Sequence, residues 1–215
     1  MKPLEVARSG RADPEAAARF RAAGWWGDLT LSRRVAELAE AKPDADAYVT
    51  PEGRFSWLQY HQAGNRIAAE ILARGLPPGS RVAVILPDGP AVHAALLGVE
   101  RAGMVAVGIG ARAGIAEIAY LLKRTGAGLL IAHDRMRDQS IAELVAAVRG
   151  QGAPLSQWLA VPDLIAHPEW IGSAPVDNTD FPESDPDALF LINSTSGTTG
   201  MPKCVMHTQN RWFYF

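Results

Sequence analysis

Hydrophobic and polar positions along this chain follow two periods that take turns. The segment SWLQYHQAGNRIAAEILARGL, residues 56–76, carries apolar side chains at Leu58, Ala63, Ile67, Ile71 and Leu72. It opens on Ser56 and Gln59 at the spacing of a capping box and stops at Gly75, which predicts an amphipathic helix. RVAVILP, residues 81–87, is instead a short continuous apolar run closed by proline, the pattern of a strand covered on both faces. The alternation continues with GPAVHAALLGVERAG as helix, MVAVGIG as strand, GIAEIAYLLKRTGAG as helix, GLLIAHD as strand, QSIAELVAAVRG as helix and QWLAVP as a shorter strand. Such a βαβα rhythm predicts an α/β fold, a mostly parallel sheet with helices on both faces. No repeat of 20 to 50 residues interrupts it.

The rhythm breaks at WIGSAPVDNTDFPESDPD, residues 170–187, which is rich in proline and acid and reads as a surface connection. Its carboxylates, Asp177, Asp180, Glu183, Asp185 and Asp187, do not follow the calcium-loop spacing and are expected to be solvated. ALFLIN, residues 188–193, then has strand length, and from Ser194 to Gly200 every residue is Ser, Thr or Gly. Glycine lets a backbone approach a ligand closely, so that successive N–H groups converge on one anion. Ser194, Thr195, Ser196, Thr198 and Thr199 add hydroxyl donors, Pro202 stiffens the approach, and Lys203 brings a point charge suited to phosphate. A tract of this composition can also be a flexible linker. Its position between two apolar strand candidates, ALFLIN and CVMH, favours a polyphosphate cradle.

Two other phosphate loops fail here. Walker A requires Gly-Lys-Ser/Thr, whereas Lys203 lies between Pro202 and Cys204. In VGIGARAG, Gly108, Gly110 and Gly114 miss the dinucleotide spacing by one residue, so that segment is read as a turn.

Composition narrows the picture. Of 215 residues, 48% are hydrophobic and 20% charged, which suits a globular chain with a sizeable core. A formal net charge of -2 with dispersed signs offers no field for nucleic acid. Cys204 is the single cysteine, which excludes an internal disulfide. His61, His93, His133, His167 and His207 are scattered without metal-ligand spacing. No apolar run reaches the roughly 18 residues of a membrane span and no signal-peptide core follows Met1, so a cytoplasmic protein is expected. Residues 1–30 read as an N-terminal arm, with a helix start at Asp13-Pro14-Glu15, and Trp25 and Trp26 are expected to dock it on the domain of residues 31–215, the alternative being that they line a partner surface.

The stretch STSGTTGMPK, residues 194–203, resembles the phosphate loop of the adenylate-forming ligases, the superfamily of acyl-CoA synthetases, luciferases and nonribosomal-peptide adenylation domains. The likeness extends from about residue 30 to residue 215, through an expected extended strand pair before the first helix, and is strongest to the acyl-CoA synthetase branch. It implies that Thr195, Ser196, Gly197, Thr198, Thr199, Gly200 and Lys203 hold the β- and γ-phosphates of ATP. The family chemistry it implies has two halves. A carboxylic acid and ATP, with Mg2+, give an acyl-adenylate and pyrophosphate; a thiol, usually that of CoA, then displaces AMP to leave a thioester.

Three departures are visible. Cys204 stands where glycine is common, and is expected to be a small residue at a strand start. Gln209 stands where many relatives carry the histidine of a Thr-His-x-Asn pattern, and GIGARAG replaces a turn richer in proline and asparagine. The resemblance also implies that the adenine, ribose and magnesium residues, the hinge and the C-terminal lysine would follow Phe215. The chain is therefore expected to be an incomplete N-terminal domain, inactive alone, with its last aromatics awaiting partners. The alternative is a non-catalytic fragment or nucleotide-binding module that works with a second polypeptide.

Overall fold

The apolar run at residues 81–85 forms the interior of a six-stranded sheet. The computed structural model describes residues 13–172, 181–195 and 200–214. In chain order its elements begin with α1 (Pro14–Ala22), α2 (Leu31–Ala41), a hairpin of β1 (Asp46–Thr50) and β2 (Gly53–Ser56), α3 (Trp57–Leu72), β3 (Arg81–Ile85) and α4 (Pro90–Arg101). They continue with β4 (Val105–Gly108), α5 (Ile115–Thr125), β5 (Leu129–Ala132), a short hairpin of β6 (Arg135–Met136) and β7 (Gln139–Ser140), and α6 (Ile141–Gly150). Last come β8 (Gln157–Ala160), α7 (Pro168–Gly172), β9 (Leu189–Thr195), β10 (Lys203–Thr208) and α8 (Gln209–Tyr214). The sheet order is β10-β9-β4-β3-β5-β8, parallel throughout except where β10 returns antiparallel to β9.

Strand alternation divides the core into two layers. Val82 and Val84 pack with α3 and α4, while Ala83 and Ile85 pack with α5 and α6. A strand buried on both faces needs the unbroken apolar run that the sequence supplies. On one side α3 and α4 come close through glycines: a Cβ on Gly98 would sit 2.6 Å from Ile67 and 3.0 Å from the carbonyl of Gly64.

The expected capping box forms. The N–H of Gln59 donates to Ser56 Oγ at 3.2 Å, and that of Ser56 to Gln59 Oε1 at 2.8 Å. Leu58, expected on the apolar face, is 37% exposed. At 3.6 residues per turn it lies roughly opposite Ile67, and Tyr60, Ala63, Ile67 and Ile71 make the buried face instead. Helix α2 and the β6–β7 hairpin are additions to the expected elements. Among the described residues no helix is long and apolar enough to cross a membrane.

Candidate phosphate-binding site

Strand β9 runs out at the carboxyl end of the sheet, the side on which parallel α/β sheets bind ligands. It is seated against β4 with Ala106 opposite Leu191, Val107 opposite Ile192 and Gly108 opposite Asn193. Ser194 Oγ donates to the carbonyl of Gly108 at 3.2 Å, tying the last turn of β9 to its neighbour. Of the hydroxyls proposed for the loop, that of Ser194 is thus engaged in the scaffold.

Across the hairpin, Lys203 is in register with Thr195, Cys204 with Ser194 and Val205 with Asn193. Thr195 and Lys203 are both exposed. Directly opposed residues of an antiparallel pair have Cβ atoms roughly 5 Å apart, so the hydroxyl and the ammonium flank the entrance and exit of one loop. Gly200 lies in a bend just before Lys203, and Ser196, Gly197, Thr198 and Thr199 lie outside the described residues. The structure therefore brings together the two ends of the predicted cradle.

A cavity of about 670 Å³ opens at the ends of β3, β4 and β9. Leu86, Leu96, Leu191 and Trp212 give it apolar walls, and Asn193 and Ser194 give it polar groups. Its size is that of a small-molecule pocket. Trp212 meets Phe190 edge-on at 6.3 Å and His207 at 5.4 Å, so one of the terminal aromatics packs back on the domain while remaining 42% exposed. Phe213 is 47% exposed.

Burial pushes the Cys204 thiol above its ordinary value, which suits a packing role rather than a nucleophile. Burial, and then the charge of Arg211, lower the pKa of His207. Among the described residues no group of three His, Cys, Asp or Glu side chains could hold a metal ion.

Beneath the hairpin lies a polar cluster that sequence reasoning missed. Thr208, Gln209 and Asn210 are 0%, 1% and 4% exposed. Thr208 Oγ1 accepts from the N–H of Arg211 at 3.2 Å and caps α8. Gln209 Oε1 accepts from the N–H of Leu31 at 2.6 Å, and its amide donates to Glu100 Oε1 at 3.1 Å. The carboxylate of Glu100 also accepts from Ser32 Oγ, which puts a negative charge at the start of α2, where the helix dipole favours one. Beside it, Arg101 donates to the carbonyl of His61 at 2.8 Å, to the side-chain oxygen of Asn65 and to His61 Nδ1 at 3.1 Å. Desolvation lowers the Arg101 pKa to about 10, against the opposing pull of Glu100. The signal in the sequence was two adjacent charges, Glu100 and Arg101, closing an otherwise apolar helix.

The acidic connection also needs correcting. Asp187 is not simply solvated: it accepts from Arg21 at 2.6 Å and from Asn210 Nδ2 at 2.7 Å. Asp177 and Asp180 lie outside the described residues.

Comparison with known proteins bears on what such a hairpin does. The family model described as AMP-binding enzyme matches residues 35–215. The long-chain-fatty-acid–CoA ligase FadD13 of Mycobacterium tuberculosis is 31% identical over an alignment covering 79% of this chain and 33% of the ligase. The salicyl-AMP ligase / salicyl-S-ArCP synthetase of Mycobacterium tuberculosis is also 31% identical, covering 92% of this chain and 36% of that protein. The apo structure of MbtA from Mycobacterium smegmatis superposes with a TM-score of 0.79 at 28% identity, over 95% of this chain and 38% of that one. The chain thus spans about a third of the length of these relatives. A βαβα sheet ending in a Ser/Thr/Gly hairpin, matched by a family model across most of its length, places this chain in the AMP-binding enzyme family of adenylate-forming ligases.

Proposed function

We propose that this chain supplies the pyrophosphate grip of an acid–thiol ligase of the acyl-CoA synthetase kind. The observation that carries the proposal is the in-register pairing of Thr195 with Lys203 at the two ends of a hydroxyl- and glycine-rich loop. In this reading Thr195, Ser196, Gly197, Thr198, Thr199, Gly200 and Lys203 hold the β- and γ-phosphates of ATP. Donors fixed before the reaction favour the charge that builds on departing pyrophosphate, because they need no reorganisation as it develops. They also fix the line of attack, leaving the α-phosphorus open to the carboxylate. ATP supplies the activated phosphoryl centre, and CoA is the expected thiol. Mg2+ is expected to be held by residues other than those described.

The 215 residues alone are expected to bind phosphate but not to turn over. Carboxylate-dependent exchange of pyrophosphate into ATP tests this. Exchange should stay at the level of a Lys203→Ala control for the chain alone. It should rise when a polypeptide carrying the family's later segments is added, and fall again if that mixture contains Lys203→Ala. Exchange by the chain alone above its control contradicts the expected inactivity; a complemented mixture indifferent to Lys203→Ala contradicts the grip.

One observation favours a second reading, in which the acid is aromatic and the thiol acceptor is a carrier protein. At 31% identity each, the match to the salicyl-AMP ligase / salicyl-S-ArCP synthetase covers 92% of the chain and that to the long-chain ligase FadD13 covers 79%. Salicylate and a long-chain fatty acid, compared in the complemented exchange, separate the two: preference for salicylate supports the second reading, and preference for the fatty acid the first.

A further inference from the structure

The arm and the phosphate hairpin are joined at the end of β10 remote from Lys203. Asn210 Oδ1 accepts from the N–H of Gly27 at 3.1 Å, and its Nδ2 donates to the carbonyl of the same residue at 3.1 Å. That two-point bond copies the pairing of one peptide with another. The same Nδ2 reaches Asp187 at 2.7 Å, and the backbone N–H of Asn210 donates to the carbonyl of Pro186 at 3.1 Å. Arg21 closes the ring, donating to Asp187 and to Asp28 at 2.6 Å each. Gln209 adds the bond to Leu31 at the head of α2. Behind them the arm is stiffened by Phe20, whose ring lies 5.0 Å from that of Trp26, itself 8% exposed.

The arrangement matters because, among the described residues, β10 is an edge strand paired in the sheet with β9 alone. Its register with β9 is irregular between His207 and Thr208, the point where it turns into α8. From Thr208 to Lys203 the strand is a lever of roughly 17 Å, so a swing of about 5° at its base would move the lysine by roughly 1.5 Å. Anion binding is sensitive to displacements of that order.

We propose that residues 21–31 are a positioning clasp: Arg21, Asn210 and Gln209 lock the base of β10 and thereby hold Lys203 where it meets phosphate. The effect on phosphate rests on the grip described above, whereas the clasp itself does not. Hydrogen exchange by mass spectrometry reads the clasp, with β3 and β5 as internal references. Inorganic pyrophosphate binding, measured by calorimetry well below the melting temperature, reads its consequence. In Arg21→Ala, exchange across residues 203–208 should rise about tenfold with β3 and β5 unchanged, as expected for a locally opened element. Arg21→Lys, which keeps the charge on Asp187, should return it to within about threefold of the parent. Asn210→Ala should exceed Arg21→Ala, and both should lower pyrophosphate affinity about tenfold in protein that is still folded.

Unchanged exchange across β10 in Arg21→Ala overturns the clasp. A rise shared equally by β10, β3 and β5 overturns it too, because the arm would then be a general support. If Asn210→Ala fails to fold, the two Arg21 variants decide the matter. If the parent binds no pyrophosphate, the grip is refuted while the exchange experiment still judges the clasp.

Discussion

A Cβ built on Gly108 would lie 2.6 Å from Oδ1 of Asn193. The two residues are partners in the register of β4 and β9, at the strand ends from which the phosphate loop departs. Glycine at 108 thus leaves room for the Asn193 amide in its present rotamer. The next nearest atoms, Asn193 Cγ at 3.8 Å and the carbonyl of Ile192 at 3.9 Å, are at ordinary contact distance, so Gly108→Ala should turn the Asn193 amide out of its rotamer and cost about 0.5–1.5 kcal/mol. Urea denaturation checks this. Asn193→Ala, which removes the obstructing oxygen, should recover most of the loss when combined with Gly108→Ala, an interaction that a double-mutant cycle exposes directly.

Arg101 is 3% exposed and is held by His61, Asn65 and Ser32. Removing one member of a buried charged network takes a hydrogen bond from each of its partners where water cannot replace it, so Arg101→Ala should cost about 3–5 kcal/mol. Arg33→Ala, at an exposed ion pair with Glu37, should cost less than about 1 kcal/mol by the same denaturation measurement.

His207 titrates below the ordinary imidazole value of 6.5, first through burial and then through the charge of Arg211. As pH falls from 6.5 the unfolded chain takes up the proton before the native one does, so native stability falls through the depressed folded pKa. Above 6.5 both states are neutral at this site and the effect vanishes. Comparing denaturation midpoints at about pH 7.5 and pH 5.5 in the parent and in His207→Asn should show a smaller acid loss in the variant. An equal loss would place the pH sensitivity elsewhere.

Cys204 stands immediately after Lys203, the lysine of the proposed grip, yet burial holds its thiol protonated to higher pH. Since thiolate is the reacting form, Cys204 in the native chain should react with a disulfide reagent at about pH 7.5 at least tenfold more slowly than in urea. Cys204→Ser should leave pyrophosphate binding unchanged.

Much of this molecule was legible because its elements are locally determined. The capping box of Ser56 and Gln59 and the apolar spacing of Ala63, Ile67 and Ile71 are contained within one helix, so α3 was readable without knowledge of its surroundings. The run at residues 81–85 was readable as a strand buried on both faces. Helix α2 escaped although its signal is local as well, with Thr30 as N-cap and Leu31, Val35, Leu38 and Ala39 on one face at helical spacing. The clasp, by contrast, was not legible. Gly27 and Asn210 are 183 residues apart, and nothing in either local sequence specifies the other. Gln209 read as the loss of an imidazole, whereas its amide makes two bonds of opposite sense, accepting from Leu31 and donating to Glu100. At the candidate site, the composition of the loop is what motivates its proposed chemistry, whereas the anchoring of Ser194 to Gly108 depends on the order of strands in the sheet.

Calorimetric titration of the chain with inorganic pyrophosphate, beside Lys203→Ala and with AMP as the comparison ligand, tests the central claim most directly. The account requires that pyrophosphate bind the parent, that Lys203→Ala weaken it about tenfold or more, as expected for loss of a charge-assisted contact, and that AMP be indifferent to the substitution. Equal pyrophosphate affinity in the parent and in folded Lys203→Ala would contradict it.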